Sequence, residues 1–392
     1  MTSVHFVSFA LSRRGGGLSP ALQGLASGLQ ANGDSVSVAG LADPDLLRDR
    51  DSWPVSSLRG YEAWGPVRLG WSPLMWWQAR TGGRPGDIVH AHGIWSWPLA
   101  AATISAKRHQ RPLIISPHGM LDPWILARGK WQKRMAWWWW VRTAGLTASV
   151  VHALSLSEAK AVQSFWPSAR IAIIPNGVQL PAMNMTPLKR PWPDDGRLTV
   201  LFLGRLHPKK GLLELISALS LVYADDCKVA KKIRVVIAGW GDESYSHQVR
   251  EGVTSAGLGD ALIFLGEVFG EAKKAALRHA DAFILPSHGE GLPVAALEAA
   301  SYGLPLLLTE ACNLPEFFEA EAAMRITNDP ISLAGSLREF VALPAPERRR
   351  MGERAFAVAK DKFTWNSVAK RMSAVYAWVL GKGPEPACIW HG

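Results

Sequence analysis

Short apolar runs alternate with longer amphipathic stretches along the whole chain. After the first run, Leu22, Leu25 and Leu29 recur at the spacing of one helical face. This alternation is typical of parallel sheets whose strands are joined by crossover helices, and it predicts an α/β fold. The predicted strands are residues 4–9, 35–39, 88–91, 113–116, 149–154, 171–174, 198–203, 233–238, 262–265, 282–285 and 304–308.

The length of 392 residues suits two domains rather than one core. Four prolines at 181, 187, 191 and 193 interrupt the pattern, remove backbone donors and resist helix formation. We therefore expect two doubly wound Rossmann-like domains facing across a cleft, with ligands at the carboxyl ends of the strands. The predicted segments are an N-terminal domain 1–180, a linker 181–197, a C-terminal domain 198–365, a helix 366–380 packing back on the first domain, and a flexible tail 381–392.

Composition narrows the class of protein. Hydrophobic residues make up 48% and charged residues 19% of the chain, which is typical of a folded globular protein. Three scattered cysteines favour a reducing compartment over a disulfide framework. The N-terminus does not resemble a signal peptide, and no apolar stretch reaches the ~18 residues of a spanning helix. We expect a cytoplasmic protein, with a peripheral position on the inner face of the plasma membrane left open.

The net charge of +10 is concentrated in the first half. Residues 1–180 hold 18 Lys or Arg against 9 Asp or Glu, and residues 181–392 hold 25 against 24. A basic half suggests an anionic partner, such as a membrane face or a phosphate-bearing acceptor. No nucleic-acid fingerprint accompanies the charge, so nucleic acid is not expected. A solvated basic surface is the simpler alternative.

The most informative segment is 288–298, which follows a predicted strand. Gly291 and the neighbouring Gly289 make a loop without side-chain bulk, and Pro293 suits the first turn of a helix. The amides around Leu292 would then point out of a helix N-terminus, which favours binding of a diphosphate. A capped helix with solvated glutamates is the alternative interpretation.

Two carboxylates belong to this segment. Glu290 precedes the helix and can reach a sugar hydroxyl, whereas Glu298 lies more than one turn inside it. A carboxylate accepts two hydrogen bonds at once, which suits the vicinal diol of a ribose.

A second candidate is the loop 204–211, directly after a predicted strand. Gly204 and Gly211 flank Arg205 and Lys210, and two cations at a strand end can bind phosphate oxygens. A third is His118, which precedes Gly119 at another strand end. It can reach into a cleft or be a buried structural histidine, and both interpretations are open.

Taken together, these motifs resemble the retaining GT-B glycosyltransferases that carry a Glu-x7-Glu motif, known as family four. Glu290 and Glu298 supply that motif, and the resemblance covers nearly the whole chain. The other matching motifs, in the family's order, are Gly15-Gly16-Gly17, His118-Gly119, Pro175-Asn176-Gly177-Val178, Gly204-Arg205, Lys210-Gly211, Ala238-Gly239-Trp240-Gly241 and Leu314-Pro315-Glu316.

The resemblance implies a role for each residue. Arg205 and Lys210 would neutralise the donor diphosphate, Glu290 would bind the transferred sugar, and His118 would hydrogen-bond a sugar hydroxyl. These four are the expected catalytic residues, and Glu298 would bind the donor ribose. The expected donor-binding residues are Gly16, Gly17, Gly204, Gly239, Val268, Gly291, Leu292, Pro293 and Glu298.

The resemblance also implies a reaction. The donor would be a nucleotide sugar, the acceptor a glycan or a lipid-diphosphate-linked glycan of bacterial polysaccharide or lipopolysaccharide synthesis, and the anomeric configuration would be retained. No cofactor or metal is expected, because the two cations and the helix dipole would stabilise the leaving group.

Tryptophan is unusually abundant, with 19 residues in the chain. Trp137–Trp140 lie among basic residues, a combination that favours the membrane–water interface. We expect residues 124–142 to contact an anionic membrane peripherally. The alternative is that four consecutive tryptophans point all round a helix, so that at least two are core or interdomain packing. In another alternative, Trp95 and Trp97 stack on acceptor sugars.

Three other classes compete with the transferase. A non-catalytic GT-B scaffold of an assembly complex would keep the fold but would not need the charged motif residues, which are all present. A phosphorylase that uses a pyridoxal lysine has no support in any segment. A Rossmann dehydrogenase is excluded, because the first strand leads into Arg-Arg-Gly-Gly-Gly rather than Gly-x-Gly-x-x-Gly.

Overall fold

The computed structural model describes residues 1–55, 57–66, 69–82, 88–182, 188–225 and 227–392. Pro187 of the predicted linker lies outside these residues, as does the side chain of Trp124 in the predicted membrane segment. The chain forms two compact units. The first unit is Met1–Gly177 together with Trp365–Gly392, and the second unit is Val178–Thr364.

The strands follow the predicted apolar runs except for β3, β13 and β14, which were not predicted. They are β1 Ser3–Ser8, β2 Ser35–Leu41, β3 Ser57–Tyr61, β4 Ile88–His92, β5 Leu113–Ser116, β6 Val150–Ala153, β7 Ile171–Ile173, β8 Leu198–Leu203, β9 Ile233–Ala238, β10 Leu262–Gly266, β11 Ala282–Leu285, β12 Leu306–Leu308, β13 Ala323–Arg325 and β14 Ile389–Trp390.

Helices occupy the amphipathic stretches. They are α1 Leu18–Ala31, α2 Leu46–Asp49, α3 Pro73–Thr81, α4 Trp97–Arg108, α5 Pro123–Leu126, α6 Lys130–Ala136, α7 Arg142–Thr147, α8 Leu156–Phe165, α9 Leu212–Asp225, α10 Cys227–Ala230, α11 Glu243–Ser255, α12 Gly270–His279, α13 Val294–Ser301, α14 Pro315–Glu319, α15 Pro330–Ala342, α16 Ala345–Lys362 and α17 Trp365–Val379. Within the described ranges, every helix is too short or too polar to cross a bilayer.

The first unit is built on one sheet with the order β14-β7-β6-β5-β4-β1-β2-β3. Its pairs are parallel except for β14 on β7. The central strands are buried on both faces, which explains why their sequences are mostly apolar. The strand order reverses between β1 and β4, and ligands of such sheets bind beyond the carboxyl ends at the reversal.

The second unit has a parallel sheet with the order β10-β9-β8-β11-β12-β13. The reversal lies here between β8 and β11. In both sheets helices connect successive parallel strands. The predicted α/β class with two Rossmann-like domains is therefore confirmed.

Two segments differ from their predicted character. Described residues of the predicted linker 181–197 belong to the second unit: Trp192 is 5% exposed in its core, and Arg234 binds both Pro193 O and Asp195. The tail 381–392 was expected to be flexible, but Ile389 and Trp390 pair with β7. In both places apolar side chains among the prolines provide burial that periodicity does not reveal.

Helix α17 returns to the first unit and packs on α1, as expected for residues 366–380. The approach is close because two residues of α1 lack a side chain. A Cβ at Gly24 would lie 2.0 Å from the Trp365 ring, and one at Gly28 would lie 2.5 Å from the Trp365 carbonyl oxygen. The two helices therefore meet at a distance that any larger residue would increase.

Replacing Gly24 tests this packing. Alanine normally stabilises a helix interior by about 1 kcal/mol relative to glycine. Gly24→Ala should instead destabilise the first unit by roughly 1–3 kcal/mol, because the methyl group overlaps the Trp365 ring. Urea unfolding followed by circular dichroism would measure the change.

The matched control is Gly335→Ala in α15, where a Cβ meets nothing within 4 Å. That variant should gain stability by up to about 1 kcal/mol. Equal stabilisation by both substitutions would refute the close packing of α1 on α17.

Candidate functional site

The loops that follow β8, β9 and β11 touch through their backbones at the carboxyl edge of the second sheet. A Cβ at Gly239 would lie 1.8 Å from the Gly204 carbonyl oxygen, and one at Gly211 would lie 2.0 Å from Pro286 O. Gly211 also has a φ of 69°, in the left-handed region. Only glycine allows these contacts, so the glycines recognised in the sequence bring the candidate loops together.

Lys210 and Glu290 form an ion pair where the strand order reverses. Lys210 Nζ donates to Glu290 Oε1 at 2.6 Å, and Ser287 Oγ donates to the same oxygen at 2.7 Å. The side chains are only 22% and 11% exposed, so solvent screens the pair weakly. The residues predicted to bind the diphosphate and the sugar therefore lie in direct contact.

The backbone of Glu290 is fixed by the loop after β12. Glu290 N donates to Ala311 O at 2.8 Å, and Asn313 Nδ2 donates to Glu290 O at 2.5 Å. Sequence reasoning missed Ser287 and Asn313 as parts of this site. Each lies within two residues of a motif that was recognised, and a small polar residue there was the available signal.

Helix α13 begins one residue later than predicted. Pro293 has extended backbone angles and is the N-cap, so the first helical residue is Val294. Ala296 N already donates to Pro293 O at 3.0 Å, so the amides of Val294 and Ala295 are the expected anion-binding donors at this end. The Glu298 carboxylate accepts from Lys273 Nζ at 2.6 Å, a partner that the sequence did not reveal.

The remaining predicted catalytic and donor-binding residues of the second unit lie around the same edge of the sheet. Arg205 is exposed directly after Gly204, at the end of β8. Gly239 N donates to Gly266 O at 2.7 Å, which connects the ends of β9 and β10. Val268 is half-buried beyond β10. Gly291 and Leu292 lie between Glu290 and the start of α13.

In the first unit, His118 lies just beyond the end of β5. Its φ is 54°, an unusual backbone angle for a residue with a side chain. Glu158 stabilises the turn, because its carboxylate accepts from Gly119 N at 2.6 Å and from Leu154 N at 2.8 Å. Burial raises the pKa of Glu158, and those two amides oppose the shift.

A buried chain of hydrogen bonds lies beside this turn. His152 Nε2 lies 2.7 Å from Ile174 O and must donate to it, so His152 Nδ1 accepts from Ser116 Oγ at 2.6 Å. Ser116 Oγ then accepts from His90 Nε2 at 2.7 Å. His90 Nδ1 is left to accept from Tyr376 Oη at 2.7 Å. Every proton therefore points the same way, from α17 towards the end of β7.

His92 connects this network to His118. The ring of His92 stacks on His90 with centroids 4.2 Å apart, and its Nδ1 lies 2.9 Å from His118 Nε2. Burial, followed by the other histidines, holds the pKa of His92 well below its usual range, and burial also lowers the pKa of His118 to about 3. Both rings are thus neutral near pH 7. His118 is half-buried. His90, His92 and His152 were missed, although the two-residue spacing of His90 and His92 places both on one face of β4 and was an available signal.

A cavity of about 810 Å³ opens beyond the carboxyl ends of β1 to β5. Phe9, Arg14, Asp43, Trp95 and Met120 are among its lining residues. Arg14 Nε also donates to Asp45 at 2.6 Å. The predicted Gly16 and Gly17 border the start of α1, and a Cβ at either would meet nothing within 4 Å. The cavity combines apolar walls with charged groups at its rim.

The four consecutive tryptophans divide between core and surface. They lie on a π-helical turn, Trp137–Val141. Trp140 is 4% exposed and Trp137 stacks on Trp166, whereas Trp138 and Trp139 are 62% and 63% exposed. Trp140 is therefore a core residue, and Trp137 packs against the same core while only partly buried.

The other two candidate tryptophans also differ in their surroundings. Trp97 packs edge-on against Trp140 in the core. Trp95 lines the cavity and donates to Met120 O at 3.0 Å. Of the two, Trp95 is therefore the one placed to meet a ligand.

Comparisons with known proteins cover both units. Residues 15–180 match the family described as Glycosyltransferase Family 4, and residues 188–358 match the family described as Glycosyl transferases group 1. A phosphatidyl-myo-inositol mannosyltransferase of Mycobacterium leprae is 26% identical over 394 residues, with 94% of this chain and 95% of the relative covered. A GDP-mannose:cellobiosyl-diphosphopolyprenol alpha-mannosyltransferase of Xanthomonas oryzae pv. oryzae is 26% identical over 305 residues, or 76% of each chain.

Solved structures show the same fold. HepE of Anabaena, in complex with UDP and glucose, superposes with a TM-score of 0.74 at 20% identity, covering 96% of this chain and 100% of that one. Sucrose-phosphate synthase of Thermosynechococcus elongatus gives a TM-score of 0.74 at 16% identity, covering 97% and 100%. The predicted GT-B fold is confirmed by this likeness.

The buried histidines predict a loss of stability in mild acid. The pKa of His90, His92 and His152 is lowered in the folded chain, chiefly by burial, and reaches about 4 for His152. The unfolded chain, with histidine pKa near ~6.5, then binds more protons, so the free energy of unfolding falls as pH drops from about 6.5 towards 4. We expect a slope of roughly 1 kcal/mol per pH unit for each histidine, measured by urea unfolding.

The exposed His247 supplies the control, since its side chain is 71% exposed. His247→Asn should leave the pH slope unchanged. A free energy of unfolding that stays constant from pH 7 to pH 5 in the unaltered chain would contradict the neutral buried network.

Proposed function

This chain belongs to the group 1 glycosyltransferases, and on that premise we propose that it is a retaining enzyme of cell-surface polysaccharide synthesis. It moves a hexose-type sugar from a nucleotide-sugar donor to a glycan or lipid-linked glycan. The observation that carries the proposal is the Lys210–Glu290 pair, at 2.6 Å, beside the first turn of α13 where β8 and β11 diverge.

The donor diphosphate would bind at this edge of the second unit. Lys210 supplies three N–H donors, and Arg205 is exposed in the same loop, at the end of β8. The amides of Val294 and Ala295 at the start of α13 would add the positive end of a helix. A diphosphate oxygen would then replace part of the contact that Lys210 makes with Glu290.

The two glutamates would hold the rest of the donor. Glu290 is anchored through Ser287 and Asn313, so its second carboxylate oxygen can accept from a hydroxyl of the transferred sugar. Glu298, now bound to Lys273, would accept from the ribose hydroxyls. His118 would hydrogen-bond a sugar hydroxyl, the role that the family resemblance implies.

In the proposed step the acceptor oxygen attacks the anomeric carbon, and the bond from that carbon to the diphosphate oxygen breaks. The acceptor proton passes to the departing phosphate, and the configuration is retained. Charge builds up on the diphosphate as it leaves, which is where Lys210 and Arg205 stabilise it. We propose that this site needs no metal ion, since these cations supply the required positive charge.

The acceptor would bind in the cavity of the first unit. Its walls include Phe9, Trp95 and Met120, with Arg14 at the rim. Aromatic rings stack on sugars, and a guanidinium can bind a phosphate of a lipid-diphosphate acceptor. A non-catalytic scaffold is the second candidate, but it would not require the half-buried Lys210–Glu290 pair.

We also propose that the first unit contacts an anionic membrane peripherally. The exposed rings of Trp131, Trp138 and Trp139 lie on the segment from α6 to the π-helical turn, and the Arg142 guanidinium lies 5.7 Å from the Trp138 ring centroid. Exposed tryptophan beside cations suits the interface between lipid tails and phosphates.

Donor binding and transfer can be tested with a panel of nucleotide sugars that includes UDP-glucose and GDP-mannose. At least one should raise the melting temperature and donate its sugar. Glu298→Ala should weaken that donor's binding roughly tenfold, because a charge-assisted contact to the ribose is lost. Lys210→Ala should lower the transfer rate by roughly a hundredfold or more while leaving the fold intact.

The control is Lys274→Ala, since Lys274 is exposed on α12 and pairs only with Glu271 at 3.3 Å among the described residues. It should bind and transfer normally. Full activity in Lys210→Ala would remove the diphosphate assignment, and a chain that binds donors but transfers to no acceptor would favour the scaffold.

Membrane contact can be tested by vesicle sedimentation. The chain should bind anionic vesicles of phosphatidylglycerol and phosphatidylcholine, and binding should weaken as salt rises. Replacing both Trp138 and Trp139 with serine should reduce binding roughly tenfold or more, because two rings no longer insert. The matched variant is Trp240→Ser, a tryptophan that is 55% exposed in the second unit. Equal binding of both variants would eliminate the proposed surface.

A further inference from the structure

His92 is a buried residue that none of the recognised motifs contains. It ends β4, where the strand order of the first sheet reverses, and it is 2% exposed. Its Nδ1 lies 2.9 Å from His118 Nε2, and the two rings are within 29° of parallel. Because both rings are neutral near pH 7, a single proton occupies this hydrogen bond.

The surroundings of the other nitrogen of His92 show which of the two rings carries that proton. His92 Nε2 is buried and has no hydrogen-bond partner among the described residues. If it carried a hydrogen, the interior would contain an orphaned N–H donor, which is rarer in folded proteins than an unused acceptor. Nε2 is therefore bare, the His92 proton is on Nδ1, and His92 donates to His118 Nε2.

This assignment determines the state of His118. With Nε2 accepting, a neutral His118 must carry its own proton on Nδ1. No described residue binds His118 Nδ1, and it is absent from the buried atoms without a partner, so it is open to solvent. Glu158 holds the adjacent Gly119 amide at 2.6 Å, which limits rotation of the turn that carries the ring.

We propose that His92 is a positioning residue that holds His118 in the Nδ1–H tautomer and thereby makes it a hydrogen-bond donor to an oxygen of the bound sugar. The sugar part of this inference rests on the proposed function, whereas the tautomer does not. A ring of the opposite tautomer would offer only a lone pair and could not donate. His92 thus determines that His118 binds a hydroxyl through its oxygen, as an acceptor, and not through its hydrogen.

Nitrogen NMR of the ligand-free chain, labelled with ¹⁵N-histidine, tests the tautomer directly. Long-range proton–nitrogen correlations should show His118 protonated at Nδ1 and bare at Nε2, with the signals identified by their loss in His118→Gln. His92→Asn retains a donor near the Nδ1 position and should preserve the pattern. His92→Phe removes the donor and should abolish it. A His118 protonated at Nε2, or an unchanged pattern in His92→Phe, would overturn the proposal.

Activity provides the second readout. With whichever of UDP-glucose and GDP-mannose supports transfer, one monodeoxy analogue should lose kcat/KM roughly tenfold in the unaltered chain and in His92→Asn. That penalty should vanish in His92→Phe, which a merely structural defect would not produce. If the tautomer is observed but no nucleotide sugar of the panel binds, the proposed function fails and the positioning role of His92 stands. Retention of the full penalty in His92→Phe would overturn the role in recognition.

Discussion

The second unit depends on backbone contacts that only glycine permits. Gly239 lies against the Gly204 carbonyl, and Gly211 lies against Pro286. These contacts bring three strand ends within reach of one another, so that a lysine 80 residues away in sequence from a glutamate can bind it. A side chain at either glycine would separate the loops and remove the ion pair without altering any charged residue. The charged groups of the site are therefore positioned by residues that have no side chains.

The first unit uses a different principle. Near the point where its strand order reverses, between β1 and β4, histidine side chains pack together instead of closely spaced backbones. Hydrogen bonds of fixed direction orient these imidazole rings. Each ring is neutral because burial opposes its charge, and each tautomer is determined by its neighbours. The same network attaches α17 to the sheet through Tyr376, so the fold of the first unit and the state of its site share one set of contacts.

Much of the fold followed from the sequence because parallel strands buried on both faces leave uninterrupted apolar runs. Glycine and charged motifs at strand ends identified the loops of the second unit correctly. What could not be predicted were pairings that depend on strand order, such as Lys210 with Glu290 and Lys273 with Glu298. The histidine network was missed for the same reason, since its members come together only once β4, β5 and β6 are neighbours. Proline content suggested a linker at 181–197, but Trp192 is buried in the second unit, so the segment around it is part of that unit.

The second unit is inserted within the first, and the two crossings between units are adjacent. Val178 N donates to Phe363 O at 2.6 Å, and Val178 bridges to Thr364. Residues 178–364 can therefore complete their core as soon as they leave the ribosome. The first unit must wait, because Trp365 and Tyr376, which pack on Gly24 and bind His90, are synthesised after the entire second unit. During translation the first unit can thus complete its packing only after the second unit has been made, although its strands β1 to β7 are synthesised first.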